Sequence, residues 1–245
     1  MSDFENRVAI VTGAAQGIGR AIAEKLDAGG ATVVVADLNA EGASETAGTL
    51  QRGQAVEVDV SSPESVDAMV AKVLEDNGKI DVLVNNAAIV PFIPWEDVDL
   101  EHWRKIIDTN LTGTYLCTRA AWKPMREAGY GRIVNIASNS FLAGTPNMNA
   151  YISAKGGVIG FTRALATEVG GDGITVNAVA PGLTASDGVL DSPHTEAFDF
   201  VQSLQAIPRR GETSDIAPTV AFLASEDAAW VTGQLIAVDG GHTRN

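Results

Sequence analysis

Tyr151 and Lys155 stand four residues apart in Tyr151-Ile152-Ser153-Ala154-Lys155, a spacing that puts both side chains on one face of a helix. A phenol ordinarily titrates at about pH 10, too high for efficient proton exchange at neutral pH, and a neighbouring ammonium stabilises its anion. The pair therefore makes an acid/base. The same spacing occurs on plain helix surfaces, so its company matters. Ser138 comes 13 residues before Tyr151, at the end of a predicted strand, on the carboxyl edge where open α/β sheets bind ligands. A hydroxyl there is placed to hold a substrate oxygen.

A second group of residues could hold phosphates. Thr12-Gly13-Ala14-Ala15-Gln16-Gly17-Ile18-Gly19 joins the first predicted strand to the first helix, where glycines let the backbone approach a pyrophosphate and the helix N-terminus offers free N–H groups. The spacing is neither G-x-G-x-x-G nor a P-loop, and alone it also fits a tight turn without ligand. A further strand ends in Val35-Ala36-Asp37, about 20 residues past the turn, where an acidic side chain accepts from both adenosine ribose hydroxyls. Asp37 points to NAD. A 2′-phosphate would meet its carboxylate, Gln16 offers no positive charge, and Arg20 reads as a solvated helix residue. Asp59, ending the third strand, reads either as an adenine contact or as a helix cap.

The elements that must position these groups follow from apolar periodicity. Strands are expected at 7–11, 32–36, 54–58, 81–84, 132–137, 173–179 and 234–238, and helices after the Gly-rich turn and at 40–51, 63–76, 101–127, 150–169, 194–206 and 214–224. Short Val/Ile/Leu-rich strands alternating with amphipathic helices imply a Rossmann-type, doubly wound parallel sheet with helices on both faces. Ser62-Pro63 and Thr213-Ser214-Asp215 have the makings of helix starts. No linker, repeat or low-complexity tract divides the 245 residues, so one domain is expected over 1–245, with a substrate loop at about 183–210.

Composition narrows the partners. With 17 basic against 31 acidic residues the net charge is −14, which repels nucleic acid and anionic lipid. No apolar run reaches the length of a membrane span and the first residues do not form a secretory signal, so a cytoplasmic protein is expected. The single cysteine, Cys117, reads as a core residue, and His102, His194 and His242 are too scattered for a zinc site. No Gly-x-Ser-x-Gly elbow accompanies Ser138, which argues against a hydrolase.

Over nearly its whole length the chain resembles the short-chain dehydrogenase/reductase family, through Thr12-Gly13-x3-Gly17-x-Gly19, Asn85-Asn86-Ala87, Asn110, Ser138, Tyr151-x3-Lys155, Pro181-Gly182 and Val238-Asp239-Gly240-Gly241. The resemblance implies that Tyr151 exchanges a proton with the substrate hydroxyl while hydride passes to or from NAD. It implies also that Ser138 orients the substrate, that Lys155 binds the nicotinamide ribose and lowers the Tyr151 pKa, and that Asn110 holds a relay water. It places Ile18, Leu38, Val60, Asn86 and Ala87 along the cofactor, with Pro181, Gly182, Thr184 and Ser186 at its carboxamide. Two departures stand out: Ala88 replaces the usual glycine after Asn-Asn-Ala, and Ser186 replaces a threonine. A homotetramer is implied as well.

The substrate end is expected to draw on Val90, Phe92, Ser140, Phe141, Leu142, Leu190 and Phe198, with Asn139, Asn147 or His194 as polar groups. An apolar pocket of this make-up suits a ring. Ile89-Val90-Pro91-Phe92, Ser138-Asn139, Gly144 to Met148 and Ser186 to Val189 are similar to family members that act on compact aromatic or heteroaromatic alcohols. The alternatives are a reductase of acyl-carrier-protein thioesters, a sugar or secondary-alcohol dehydrogenase and, outside enzymes, an NAD-sensing regulator. A carrier protein would need a basic docking patch, for which Lys123, Arg126 and Arg132 are the candidates.

Overall fold

A computed structural model describes residues 4–190 and 193–244; the side chains of 193 and 194 are also outside the described set, and with them the expected role of His194. Seven parallel strands lie in the order β3-β2-β1-β4-β5-β6-β9. They are β1 (Val8–Thr12), β2 (Thr32–Asp37), β3 (Gly53–Glu57), β4 (Val82–Asn85), β5 (Gly131–Ile136), β6 (Ile174–Pro181) and β9 (Leu235–Val238). The chain winds outward from β1 to β3, crosses back and continues from β4. β1 and β4 are thus neighbours whose following loops diverge, which opens a crevice at the carboxyl edge.

β1 and β2 read as nearly unbroken apolar runs because both of their faces are covered. Ala9, Val11, Val33, Val35 and Val84 pack beneath α1 (Gly17–Asp27) and α10 (Thr213–Ala224). The alternate residues Val8, Ile10, Val34 and Leu83 pack against α3 (Pro63–Asn77), α5 (Gly113–Ala128) and α7 (Asn149–Val169). The two-residue alternation of a strand serves both layers at once. Cys117 lies in the second layer, where burial pushes its thiol up to about 12, as suits a core residue.

Between these elements lie α2 (Ala40–Thr49), α4 (Leu100–Ile107), α6 (Ser140–Ala143), the two-residue strands β7 (Thr184–Ala185) and β8 (Gly211–Glu212), α8 (Asp187–Leu190) and α9 (Phe198–Leu204). The Ser62 hydroxyl accepts the Ser65 N–H at the start of α3, ahead of Pro63. At α10 the N-cap is Glu212 rather than Thr213, with Glu212 and Asp215 exchanging side-chain-to-backbone bonds in a capping box. The expected helix over 101–127 is two helices: a π turn at Asp108–Thr112 separates α4 from α5, and the Gly113 N–H reaches back five residues to the Asp108 carbonyl. Apolar periodicity runs through this wider turn and conceals it. The helix expected over 194–206 is a 3₁₀ turn, Pro193–Ala197, followed by α9. No helix among the described residues is long and apolar enough to cross a membrane.

Candidate active site

The Gly-rich turn is built by side chains that tie β1 to β4. The Thr12 hydroxyl accepts the N–H groups of Asn86 (3.0 Å) and Ala87 (3.1 Å), and the Asn86 amide donates to the carbonyls of Thr12 (3.0 Å) and Gly13 (2.9 Å). This drives the backbones together. A Cβ on Gly13, whose φ is +63°, would stand 2.6 Å from the Ala87 Cα, and one on Gly19 would stand 2.2 Å from the Gly13 carbonyl oxygen. Gly19 therefore sits behind the turn, as a packing residue.

In front of the turn runs a groove of about 850 Å³, floored by Gly13, Gln16, Gly17 and Ile18 and bounded at one end by Asp37 and Leu38. Asp59, Val60, Asn86, Ala87 and Ala88 continue its wall, and Ser186 closes the far side. Two observations fit this groove to a dinucleotide. The side chain of Gln16 does not cap α1, and the Gly17 N–H instead binds an anion, the Asp187 carboxylate, at 3.0 Å, as a helix N-terminus with free N–H groups would hold a phosphate. The Asp37 carboxylate is fixed at the opposite end by the N–H groups of Ala15 and Asn39, both at 2.9 Å. The Asp59 carboxylate holds Ser61, while the Asp59 N–H donates to the Ser65 hydroxyl in the first turn of α3, which Ser62 caps.

The groove leads into a second cavity of about 500 Å³ at the ends of β5 and β6. Tyr151, Lys155, Ser138 and Ser140 line it together with Pro181, Gly182, Thr184 and Ser186, so α7, the β5 loop and the β6 loop deliver their groups to one space. The Ser138 and Ser140 hydroxyls are 2.7 Å apart. Lys155 is 2% exposed and donates to the Ile136 carbonyl at 2.7 Å. Tyr151 is 8% exposed.

Burial dominates the electrostatics of the pair. It pushes the Tyr151 phenol up to about 12, with a hydrogen bond from Ser138 pulling the other way, and it pushes Lys155 down to about 8. The phenol is thus set by its burial and by Ser138. Both groups are desolvated, and the lysine's hydrogen bond goes to the backbone. A bound nicotinamide supplies the hydride acceptor or donor and, when oxidised, a positive charge that favours the phenolate.

Asn110 lies in the π turn, fully buried, outside both cavities. Its amide donates to the carbonyls of Ile89 (3.0 Å) and Ile106 (2.9 Å) and accepts the Ile89 N–H (3.2 Å). Both amide hydrogens are thus used to hold the segment after β4 against α4, so a water would have to be met by an oxygen of Asn110.

The expected substrate residues divide. Val90 and Phe92 line the second cavity, whereas Phe141 and Phe198 do not. Phe141 lies over Gly156 on α7, and a Cβ there would stand 2.8 Å from its ring. Phe198 is 2% exposed and packs beneath the Arg210 guanidinium. Leu142, Leu190 and Asn147 also lie outside the cavity. In their place the fold brings Met148, Leu183, Val189, Val201 and, from near the far end of the chain, His242. The turn residues Asp239-Gly240-Gly241 ahead of His242 were the one sequence signal for that return. Among the described residues no cluster of His, Cys, Asp and Glu could hold a metal ion.

The chain is similar to known proteins over nearly its whole length. Residues 13–243 match a family model described as enoyl-(acyl carrier protein) reductase. The (2S)-[(R)-hydroxy(phenyl)methyl]succinyl-CoA dehydrogenase subunit BbsD of Thauera aromatica is 42% identical over 98% of both chains. The 3-oxoacyl-[acyl-carrier-protein] reductase FabG of Haemophilus influenzae is 39% identical over 97% of this chain and 98% of its own. A solved structure from Sinorhizobium meliloti 1021, provisionally named a short-chain alcohol dehydrogenase, superposes with a TM-score of 0.94 at 36% identity, covering 98% of this chain and 97% of that one.

Proposed function

The chain belongs to the short-chain dehydrogenase/reductase family, and from that premise we propose that it oxidises a compact aromatic or heteroaromatic alcohol with NAD. The observation that carries this reading is the continuity of the two cavities. One ends at the Asp37 carboxylate; the other brings Tyr151 and Ser138 to a space walled by Val90, Phe92, Met148 and Leu183. About 500 Å³ has room for a nicotinamide beside Pro181, Gly182, Thr184 and Ser186 together with a single-ring substrate. In the oxidative direction the Tyr151 oxygen takes the proton of the substrate hydroxyl, Ser138 holds that oxygen, and Lys155 holds positive charge beside the phenol and reaches the nicotinamide ribose.

The relative from Thauera aromatica supports an aromatic substrate, because the compound in its name bears a hydroxyl on the carbon that carries a phenyl ring. The segments around Val90, Ser138, Asn147 and Asp187 resemble pyridoxal 4-dehydrogenase and, more loosely, 1-phenylethanol dehydrogenase, which adds a cyclic hemiacetal and its lactone to the candidate reactions. We read the working protein as a cytoplasmic homotetramer; a mass near the 25.5 kDa of one chain by light scattering would count against it.

A second reading, reduction of 3-oxoacyl thioesters on a carrier protein, is favoured by the relative from Haemophilus influenzae. Against it, the small basic patch is reduced: Arg132 is 4% exposed and bound to Glu226, and Arg126 pairs with Asp172. The deciding experiment measures NADH production with pyridoxal, 1-phenylethanol, aliphatic secondary alcohols, 3-hydroxyacyl thioesters and sugars. An aromatic alcohol is expected to give the highest kcat/KM. Thioesters or sugars ahead by more than about tenfold, equivalent to about 1.4 kcal/mol, overturn the reading. Cofactor binding with no turnover of any kind would point to a sensor.

A further inference from the structure

The substrate cavity has a polar group that the catalytic set does not use. Asp239, at the end of β9, accepts the N–H of Gly241 through Oδ1, and the N–H and hydroxyl of Thr243 through Oδ2 (2.9 and 2.7 Å). Gly240 and Gly241 both adopt positive φ, at +64° and +76°. The carboxylate and two glycines thus fold a turn that carries His242 back into the wall of the cavity.

The neighbouring amide sets the tautomer of this imidazole. Asn139 is 6% exposed, and its Nδ2 stands 3.2 Å from Asp239 Oδ2 and 3.3 Å from His242 Nδ1. The carboxylate can only accept, which fixes the amide nitrogen toward it. The second amide hydrogen then goes to Nδ1, which must accept. A neutral imidazole whose Nδ1 accepts carries its hydrogen on Nε2. Of the other polar liners, Ser138 is taken by the substrate oxygen, with the Ser140 hydroxyl 2.7 Å from its own, and the Thr184 hydroxyl binds the Gly182 carbonyl. Glu196 lines the same cavity and weighs against an anionic group there.

Resting on the aromatic-alcohol reading above, we infer that His242 determines substrate specificity by donating its Nε2–H to a neutral acceptor on the substrate ring. The class this favours is a heteroaromatic alcohol or ketone with a ring nitrogen, over its carbocyclic analogue. His242 is half-buried, so a bound ring covers its Nε2–H, and a carbocyclic ring that then offers no acceptor leaves that donor unpaired.

The test is calorimetric binding of 2-, 3- and 4-acetylpyridine and of acetophenone to the enzyme–NADH complex. The parent should bind at least one pyridine isomer about tenfold tighter than acetophenone. His242→Phe should abolish that difference while leaving acetophenone within about twofold, and His242→Gln, which keeps a donor at the Nε2 position, should retain most of it. Equal affinities in the parent, no binding of any isomer, or a difference that survives in His242→Phe overturns the inference. Because this readout needs no turnover, it is separate from the substrate panel: an enzyme that oxidises no aromatic alcohol sinks the function reading and leaves the binding difference to decide on His242.

Discussion

Lys155 Nζ lies 5.6 Å from the centre of the Tyr151 ring while its hydrogen bond goes to the Ile136 carbonyl at 2.7 Å. The ammonium is therefore held beside the phenol by the backbone, at the cost of being buried, and its stability effect has a definite sign. Burial holds the folded-state pKa at about 8, below the ordinary lysine value of 10.5, so the unfolded chain binds the proton more tightly. Stability is lost as pH falls from about 10.5 to 8 and then levels off. Lys155→Met removes this term. Its melting temperature without added cofactor should gain on the parent as pH falls through that window, to the equivalent of about 1–3 kcal/mol, with activity abolished. A gap that does not change between pH 10 and 7 would contradict the lowered pKa.

Tyr151→Phe keeps the buried ring and removes the proton-transferring oxygen. Turnover should fall by roughly 10²–10⁴, while circular dichroism is unchanged and NAD affinity stays within about twofold. Residual activity within a few-fold of the parent would remove Tyr151 from the chemistry.

Asp37 should decide between the two dinucleotides. With its carboxylate fixed by Ala15 and Asn39, it offers lone pairs to a ribose diol and repulsion to a phosphate. Asp37→Ser is expected to lower the NAD/NADP ratio of kcat/KM by at least about tenfold. An unchanged ratio would mean that preference is set elsewhere.

Asp187 occupies a place that a pyrophosphate would want. Its carboxylate must leave the Gly17 N–H before another anion can take it, and a carboxylate at a helix N-terminus contributes about 0.3–1 kcal/mol. Asp187→Ala should therefore bind NAD about two- to fivefold more tightly by calorimetry. Weaker binding would show instead that Asp187 helps to hold the cofactor.

Much of this arrangement was legible in the chain. β1 and β2 are buried on both faces, so apolar residues run through them rather than alternating, and Gly13 and Gly19 of the first turn stand where a side chain has no room. What was hidden depends on distance or on local hydrogen bonding. His242 meets Asn139 across 103 positions, a proximity that no local pattern encodes. Phe141 and Phe198 share the apolarity of Phe92 but not its direction, because α6 turns one over Gly156 and α9 buries the other.

The π turn at Asp108–Thr112 gives the α4–α5 rod one residue more than an unbroken helix would hold. At 3.6 residues per turn, positions 106 and 117 of a regular α-helix point within about 20° of each other, and one inserted residue opens that angle to about 80°. The two positions serve different neighbours: Ile106 packs with Met148 and Tyr151, whereas Cys117 packs with the sheet layer of Ile133 and Val176. A single axis is thereby divided into two bearings, one aimed at the chemistry and one at the scaffold. Winding the same residues as a regular α-helix would bring the two positions back to within about 20°, so that seating either half correctly would turn the other half's apolar stripe away from its partner.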